Sequence, residues 1–181
     1  MFTYLQSNRH VWINLAHTFT LLGMNPEAQE KVYQEVKQSI GLDSPICYTD
    51  LPCLKYTERA IFEAMRLLPV TPAIERYAST DIDLGNKTIP AGTNVLVSVF
   101  NLHRSEAYWK NPLEYNPDRF LPEEVSERDP YAFIPFSGGP RNCIGMKYAL
   151  MAMKTTVAHV IRNYEVKSSY KSVEDMKFTS L

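Results

Sequence analysis

Residues 133–145 read FIPFSGGPRNCIG. One cysteine, Cys143, stands at the end of a loop built from Ser137, Gly138, Gly139 and Pro140, and the pattern turns helical directly after it. Its sulfur is therefore placed where a helix begins, near unpaired backbone N–H groups and the positive end of the helix dipole, a setting that favours the thiolate. Gly138, Gly139 and Gly145 carry no side chain, so a flat, bulky partner can approach the backbone closely. Arg141, two residues before the cysteine, offers a guanidinium fork to a carboxylate.

A thiolate, room for a planar ligand and a nearby cation together suggest an iron porphyrin with acidic side arms, held axially by sulfur. For an isolated cysteine the alternative is a buried structural role. A phosphatase or papain-type nucleophile is a further option, but no matching local signature is present. The pattern Phe136-x-x-Gly139-x-Arg141-x-Cys143-x-Gly145 fixes five positions within ten residues, which chance seldom meets.

Working outward, a helix is predicted over residues 144–164, with Leu150, Met153, Val157, Val160, Ile161 and Tyr164 as its apolar stripe. Upstream, residues 101–140 carry Pro112, Pro117, Pro122, Pro130, Pro135 and Pro140, a density that precludes a long helix or a central strand. So long an irregular stretch is expected to be functional. Residues 73–100 read as strands and turns. IDLGNKTI is a hairpin with Gly85-Asn86 at its turn, PAGT another turn, and NVLVSVF a strand apolar on both faces, expected to be well covered. Earlier still, Leu54, Ile61, Met65 and Leu68 share a helical face that Pro69 ends. Before that, Ala28, Val32, Val36 and Ile40 recur every four residues, with Asn25 as cap and Pro26 at the first position. Gly23 is expected to end the preceding helix in the left-handed conformation.

The bulk numbers exclude several classes. A formal charge of −1 over 181 residues gives no basic footprint for nucleic acid. Three cysteines, Cys47, Cys53 and Cys143, do not form a secreted disulfide framework. Cys47 and Cys53 lack a His or Asp cluster, which argues against zinc, and both read as structural. His10, His17 and His159 are scattered, with nothing linking them to a site. No run of about 18 apolar residues spans a bilayer, and the first residues lack the order of a signal peptide.

FSGGPRNCIG resembles the haem-binding loop of the cytochrome P-450 family. FEAMR, residues 62–66, is similar to that family's Glu-x-x-Arg helix through Glu63 and Arg66. NPDRF, residues 116–120, is similar to its Pro-x-Arg-Phe element through Pro117, Arg119 and Phe120. The match runs from about Thr18 to the C-terminus, and is strongest to animal microsomal members of the family 4 clan. The resemblance implies the C-terminal portion of that fold, mainly α with a small antiparallel β-sheet (α+β). It divides the chain into residues 1–16, not family-like; 17–68, helical; 73–100, a β-hairpin region; 101–143, meander and haem-binding loop; 144–164, the helix after the axial cysteine; and 165–181, a tail.

The resemblance also assigns roles. Cys143 is the axial thiolate on the haem iron. Arg141 and Arg76 bind propionates, Phe136 packs beside the sulfur, and Gly139 and Gly145 belong to the haem-binding loop. His103 is a further propionate candidate, the alternative being a partly buried histidine at a strand end. Glu63, Arg66 and Arg119 form a structural ion-pair group. The implied function is a haem-thiolate monooxygenase that inserts one atom of O₂ into an apolar substrate. Its electrons come from NADPH through a flavoprotein reductase, at the cytosolic face of the endoplasmic reticulum membrane. Membrane attachment is expected only through a segment absent here. The family's acid-threonine pair would fall near His10, where the sequence reads QSNRH, with neither acid nor threonine. No catalytic residue is therefore identified, and the chain is expected to be a carboxy-terminal piece of a longer enzyme. The alternative is a non-catalytic haem-binding or partner-binding fragment.

Overall fold

The computed structural model describes residues 2–176. Helix α1 (Phe2–Met24) runs unbroken through Gly23, so Gly23 does not end it as its type suggests. The glycine serves a close approach instead. The Ser168 N–H reaches the Gly23 carbonyl at 3.4 Å, and a Cβ on residue 23 would meet the Ser168 nitrogen at 2.8 Å. Helix α2 (Pro26–Ser39) follows after Asn25, which holds the cap position without capping, because its Nδ2 donates back to the Leu21 carbonyl at 2.8 Å. Ala28, Val32 and Val36 are buried, and Ile40 packs at the margin.

After the tight turn Tyr48–Cys53 comes helix α3 (Lys55–Leu67). Its amino end is capped from α2. The Glu35 carboxylate accepts the Tyr56 and Thr57 N–H groups at 2.5 and 2.8 Å and the Thr57 hydroxyl at 2.7 Å, satisfying donors that the helix itself leaves orphaned. Leu54, Ile61, Met65 and Leu68 are all buried.

Strand β1 (Ala73–Tyr77) leads into the small hairpin of β2 (Ile82–Asp83) and β3 (Thr88–Ile89), and the chain returns as β4 (Asn94–Ser98), antiparallel to β1. The register pairs Ile74 with Val97 and Arg76 with Val95. At the hairpin turn the Leu84 N–H donates to the Lys87 carbonyl at 2.8 Å. Two expectations for NVLVSVF are corrected here. The strand stops at Ser98, whose hydroxyl accepts the Asn101 N–H and starts the short helix α4 (Val99–Leu102). It is also poorly covered: Leu96 is 67% exposed, because among the described residues β1 and β4 form a ribbon of two strands only.

The proline-rich stretch folds into tight turns at Pro117–Phe120 and Pro130–Ala132 and one short helix, α5 (Pro122–Glu127). Trp109, Phe120 and Ala132 make a small core of their own against Phe62 and Phe133. Helix α6 (Met146–Asn163) buries Met153, Val157 and Ile161, while Tyr164, past its end, is exposed. The main core lies where α1, α2, α3 and α6 meet. Each fully buried Leu or Ile there contributes roughly 1.5–3 kcal/mol of transfer free energy.

Candidate cofactor site

The loop before α6 is closed at its neck. The Cys143 N–H donates to the Phe136 carbonyl at 2.9 Å, tying the two ends of residues 136–143 together. Inside that neck the backbone twice enters the left-handed region, at Ser137 (φ 66°) and Gly139 (φ 73°). Glycine takes this conformation freely, whereas for serine it costs roughly 1–2 kcal/mol. The strained serine is held from outside the loop: its hydroxyl accepts Arg76 Nη2 at 2.7 Å, while Arg76 Nη1 donates to the Glu75 carbonyl at 2.9 Å. Cys143 and Arg141 are both exposed.

These residues border a cavity of about 680 Å³. The loop contributes Phe136, Arg141, Cys143 and Gly145, β1 contributes Ile74 and Arg76, α3 contributes Met65, and α6 contributes Tyr148 and Ala149. Arg76 reaches it from a strand far away in sequence because the β1 register points its side chain at the cysteine loop. Gly139 does not line this cavity; it borders a neighbouring one of about 380 Å³ that shares Ile74, Arg76 and Ser137 with it. A Cβ on Gly145 would lie 3.9 Å from the Cys143 sulfur, in ordinary contact. Helix α1 adds His10, Val11 and Asn14. Sequence reasoning left His10 unassigned. Its spacing to Asn14, one turn apart, was the available sign that both share a face.

Behind the cavity, α3 carries an ionic centre. Glu63 and Arg66 are both fully buried. Arg66 Nε and Nη2 donate to the two Glu63 oxygens at 2.7 and 2.8 Å, a bidentate fork. The Asn116 N–H adds a bond of 2.9 Å, and Arg119 Nε stands 3.3 Å from Oε1. Burial pushes the Glu63 carboxyl up; Arg66, the Asn116 N–H and Arg119 pull it back. With two guanidiniums and a backbone donor on its oxygens, it is a carboxylate at neutral pH. Arg66 also donates to the carbonyls of His103, Pro112 and Glu114, and Arg119 to those of Lys110 and Asn111. The network thus pins the irregular stretch onto α3. Arg66 and Arg128 sit 5.0 and 4.0 Å from the Trp109 ring, closing the small aromatic core over it.

Two expectations change. His103 does not line the cavity. It is fully buried, and its Nε2 accepts the Ile134 N–H at 2.9 Å, which props the irregular segment leading into the cysteine loop. Burial, followed by the Arg66 charge, lowers its pKa to about 4, so it is neutral. Cys47 and Cys53 are exposed rather than built into the core. Among the described residues no group of three His, Cys, Asp or Glu side chains is placed to hold a metal ion.

The sequence profile of the cytochrome P450 family matches residues 13–180. The chain belongs to the cytochrome P450 family. It is 44% identical over 172 residues to cytochrome P450 4c21 of Blattella germanica, covering 93% of this chain and 34% of that protein. It is 38% identical over 156 residues to cytochrome P450 4c3 of Drosophila melanogaster, and 41% identical over 155 residues to human cytochrome P450 4V2, covering 85% of this chain in each case. Those alignments take in 29% and 30% of the two relatives, so this P450 chain spans about a third of the length of the proteins it matches. The similarity is to family 4 cytochromes P450 of insects and mammals, and the family's cofactor is haem. The cavity's chemistry fits that group. It combines one thiol, two guanidiniums for acidic arms, and an apolar wall of Val11, Met65, Val70, Ile74, Phe136 and Ala149.

Proposed function

We propose that this chain carries the haem-holding part of a haem-thiolate monooxygenase, with Cys143 as the axial ligand. The observation that supports it is the meeting of Cys143, Arg76 and Arg141 on one largely apolar cavity. Bound haem would supply the activation of O₂ and the insertion of one oxygen atom into an apolar substrate. Its electrons would come from NADPH through a reductase docking near the cysteine-loop face. The chain's own residues hold and tune. The Cys143 sulfur binds the iron and donates electron density. Arg76 and Arg141 neutralise the propionates, with Ser137 fixing the Arg76 guanidinium. Phe136, partly buried beside the cysteine, limits water at the sulfur. Family 4 similarity supports placement at the endoplasmic reticulum membrane. No helix among the described residues is long and apolar enough to cross a membrane.

A second reading is favoured by one stretch. QSNRH, residues 6–10, supplies neither the acid nor the threonine of the family's proton relay, which supports haem binding without turnover. Reconstitution separates the possibilities. The haem-loaded chain, reduced and exposed to carbon monoxide, is expected to show the strongly red-shifted Soret band of thiolate ligation, and Cys143→Ser is expected to lose it. An unchanged band in that variant would overturn the assignment. Substrate-dependent consumption of NADPH with an added reductase then distinguishes monooxygenase from binder.

A further inference from the structure

Three of the chain's four histidines are engaged by the protein. His17 Nδ1 lies 2.9 Å from the Leu68 carbonyl, His103 accepts the Ile134 N–H, and His159 meets Arg162 at 3.3 Å. The ring of His10 has no hydrogen-bond partner among the described residues. It lines the same cavity as the Cys143 thiol, but from a different element, α1 rather than the cysteine loop. Its backbone is fixed. Val11 beside it is buried in the main core, and Asn14, 7% exposed, donates from Nδ2 to the His10 carbonyl at 3.1 Å. A free imidazole on a rigid helix, facing the chamber that fits a haem, is a ligand in waiting, since neutral imidazole is an ordinary axial donor to haem iron.

We propose that His10 is a second axial ligand: in the haem-loaded chain its imidazole takes the iron position left open by Cys143, giving a thiolate–imidazole six-coordinate centre. The proposal rests on the assignment of Cys143 as the first ligand. The step is a ligand exchange. The lone pair of the neutral ring forms one N–Fe bond, any water held there leaves, and nothing is oxidised or reduced. Such a centre is closed to small ligands unless His10 lets go. This gives the non-catalytic reading a physical cause beyond a missing proton relay.

The test compares the full chain with His10→Ala, His10→Gln and Cys143→Ser, each loaded with ferric haem. Optical absorption and electron paramagnetic resonance are recorded, followed by titration with free imidazole. The parent is expected to be low-spin with sulfur and nitrogen ligands. His10→Ala is expected to become high-spin or water-ligated and to recover the parental spectrum on adding imidazole. It should bind imidazole about tenfold more tightly than the parent, or more, the ratio expected if the internal ligand leaves the position open in about a tenth of molecules. His10→Gln, which keeps a polar side chain without a comparable iron ligand, should behave like the alanine variant. Identical spectra and imidazole affinities in the parent and both His10 variants overturn the proposal alone, provided Cys143→Ser has lost the thiolate signature. Retention of the parental spectrum in Cys143→Ser, or failure of the chain to take up haem, overturns both assignments. His10 is exposed, so its replacement leaves the core intact.

Discussion

At the scale of single residues, Glu63 shows how far structural support reaches from the site it serves. It does not border the cavity, yet two guanidiniums and a backbone N–H converge on its carboxylate, and the same α3 presents Met65 to the cavity wall. An exposed pair at this spacing contributes only about 0.3–0.5 kcal/mol. Here both partners are fully buried, so Glu63→Ala strands two guanidiniums and is expected to cost about 3–5 kcal/mol in urea unfolding. Haem retention should fail with it. A variant that melts like the parent and keeps haem would remove this centre from the explanation. In contrast, Arg76→Ala deletes an exposed side chain whose partners are Ser137 and its own strand. It is expected to weaken haem binding while leaving the melting curve of the haem-free chain nearly unmoved.

At the scale of elements, the contact between α1 and the segment after α6 depends on one missing methyl group. By intrinsic propensity alone, alanine in place of a helical glycine stabilises by roughly 0.5–1 kcal/mol. At residue 23 the sign should reverse. The added Cβ would meet backbone at 2.8 Å, and that backbone is further tied down by Gln29, whose amide exchanges hydrogen bonds of 2.9 and 2.7 Å with Val166. Overpacking of this kind costs typically about 1–3 kcal/mol. Gly23→Ala is therefore expected to destabilise, and to raise amide exchange at residues 166–168 first. A gain in stability would show that the segment yields freely. Helix type and span were legible for α2, α3 and α6 because apolar spacing is a property of neighbouring residues. The exposure of β4 was not, since a strand apolar on both faces states what it can bury and not whether another layer arrives.

At the scale of the whole molecule, acid should loosen the fold through a group buried without its charge. His103 has a pKa near 4 when folded, against 6.5 for the free side chain. Between those values the unfolded chain takes up a proton that the folded chain refuses. The contribution is thus fully present above about pH 6.5 and is lost as pH falls towards 4, by up to about 3 kcal/mol. His17, also shifted down by burial, acts in the same direction. Denaturation midpoints at pH 7 and 4.5 check this, with His103→Gln expected to flatten the difference while its amide oxygen still accepts the Ile134 N–H. What the sequence determined by itself was local: the cysteine and its glycine-lined loop, the Glu-x-x-Arg helix, and the proline-broken stretch between them, because each is written within a few consecutive residues. Only the tertiary structure decided that His10 shares a chamber with Cys143, that Ser137 holds the Arg76 guanidinium there, that Gly139 borders the next one, and that His103 is a prop rather than a wall. Those placements follow from how helices and strands distant along the chain pack against one another, and no local spacing encodes that.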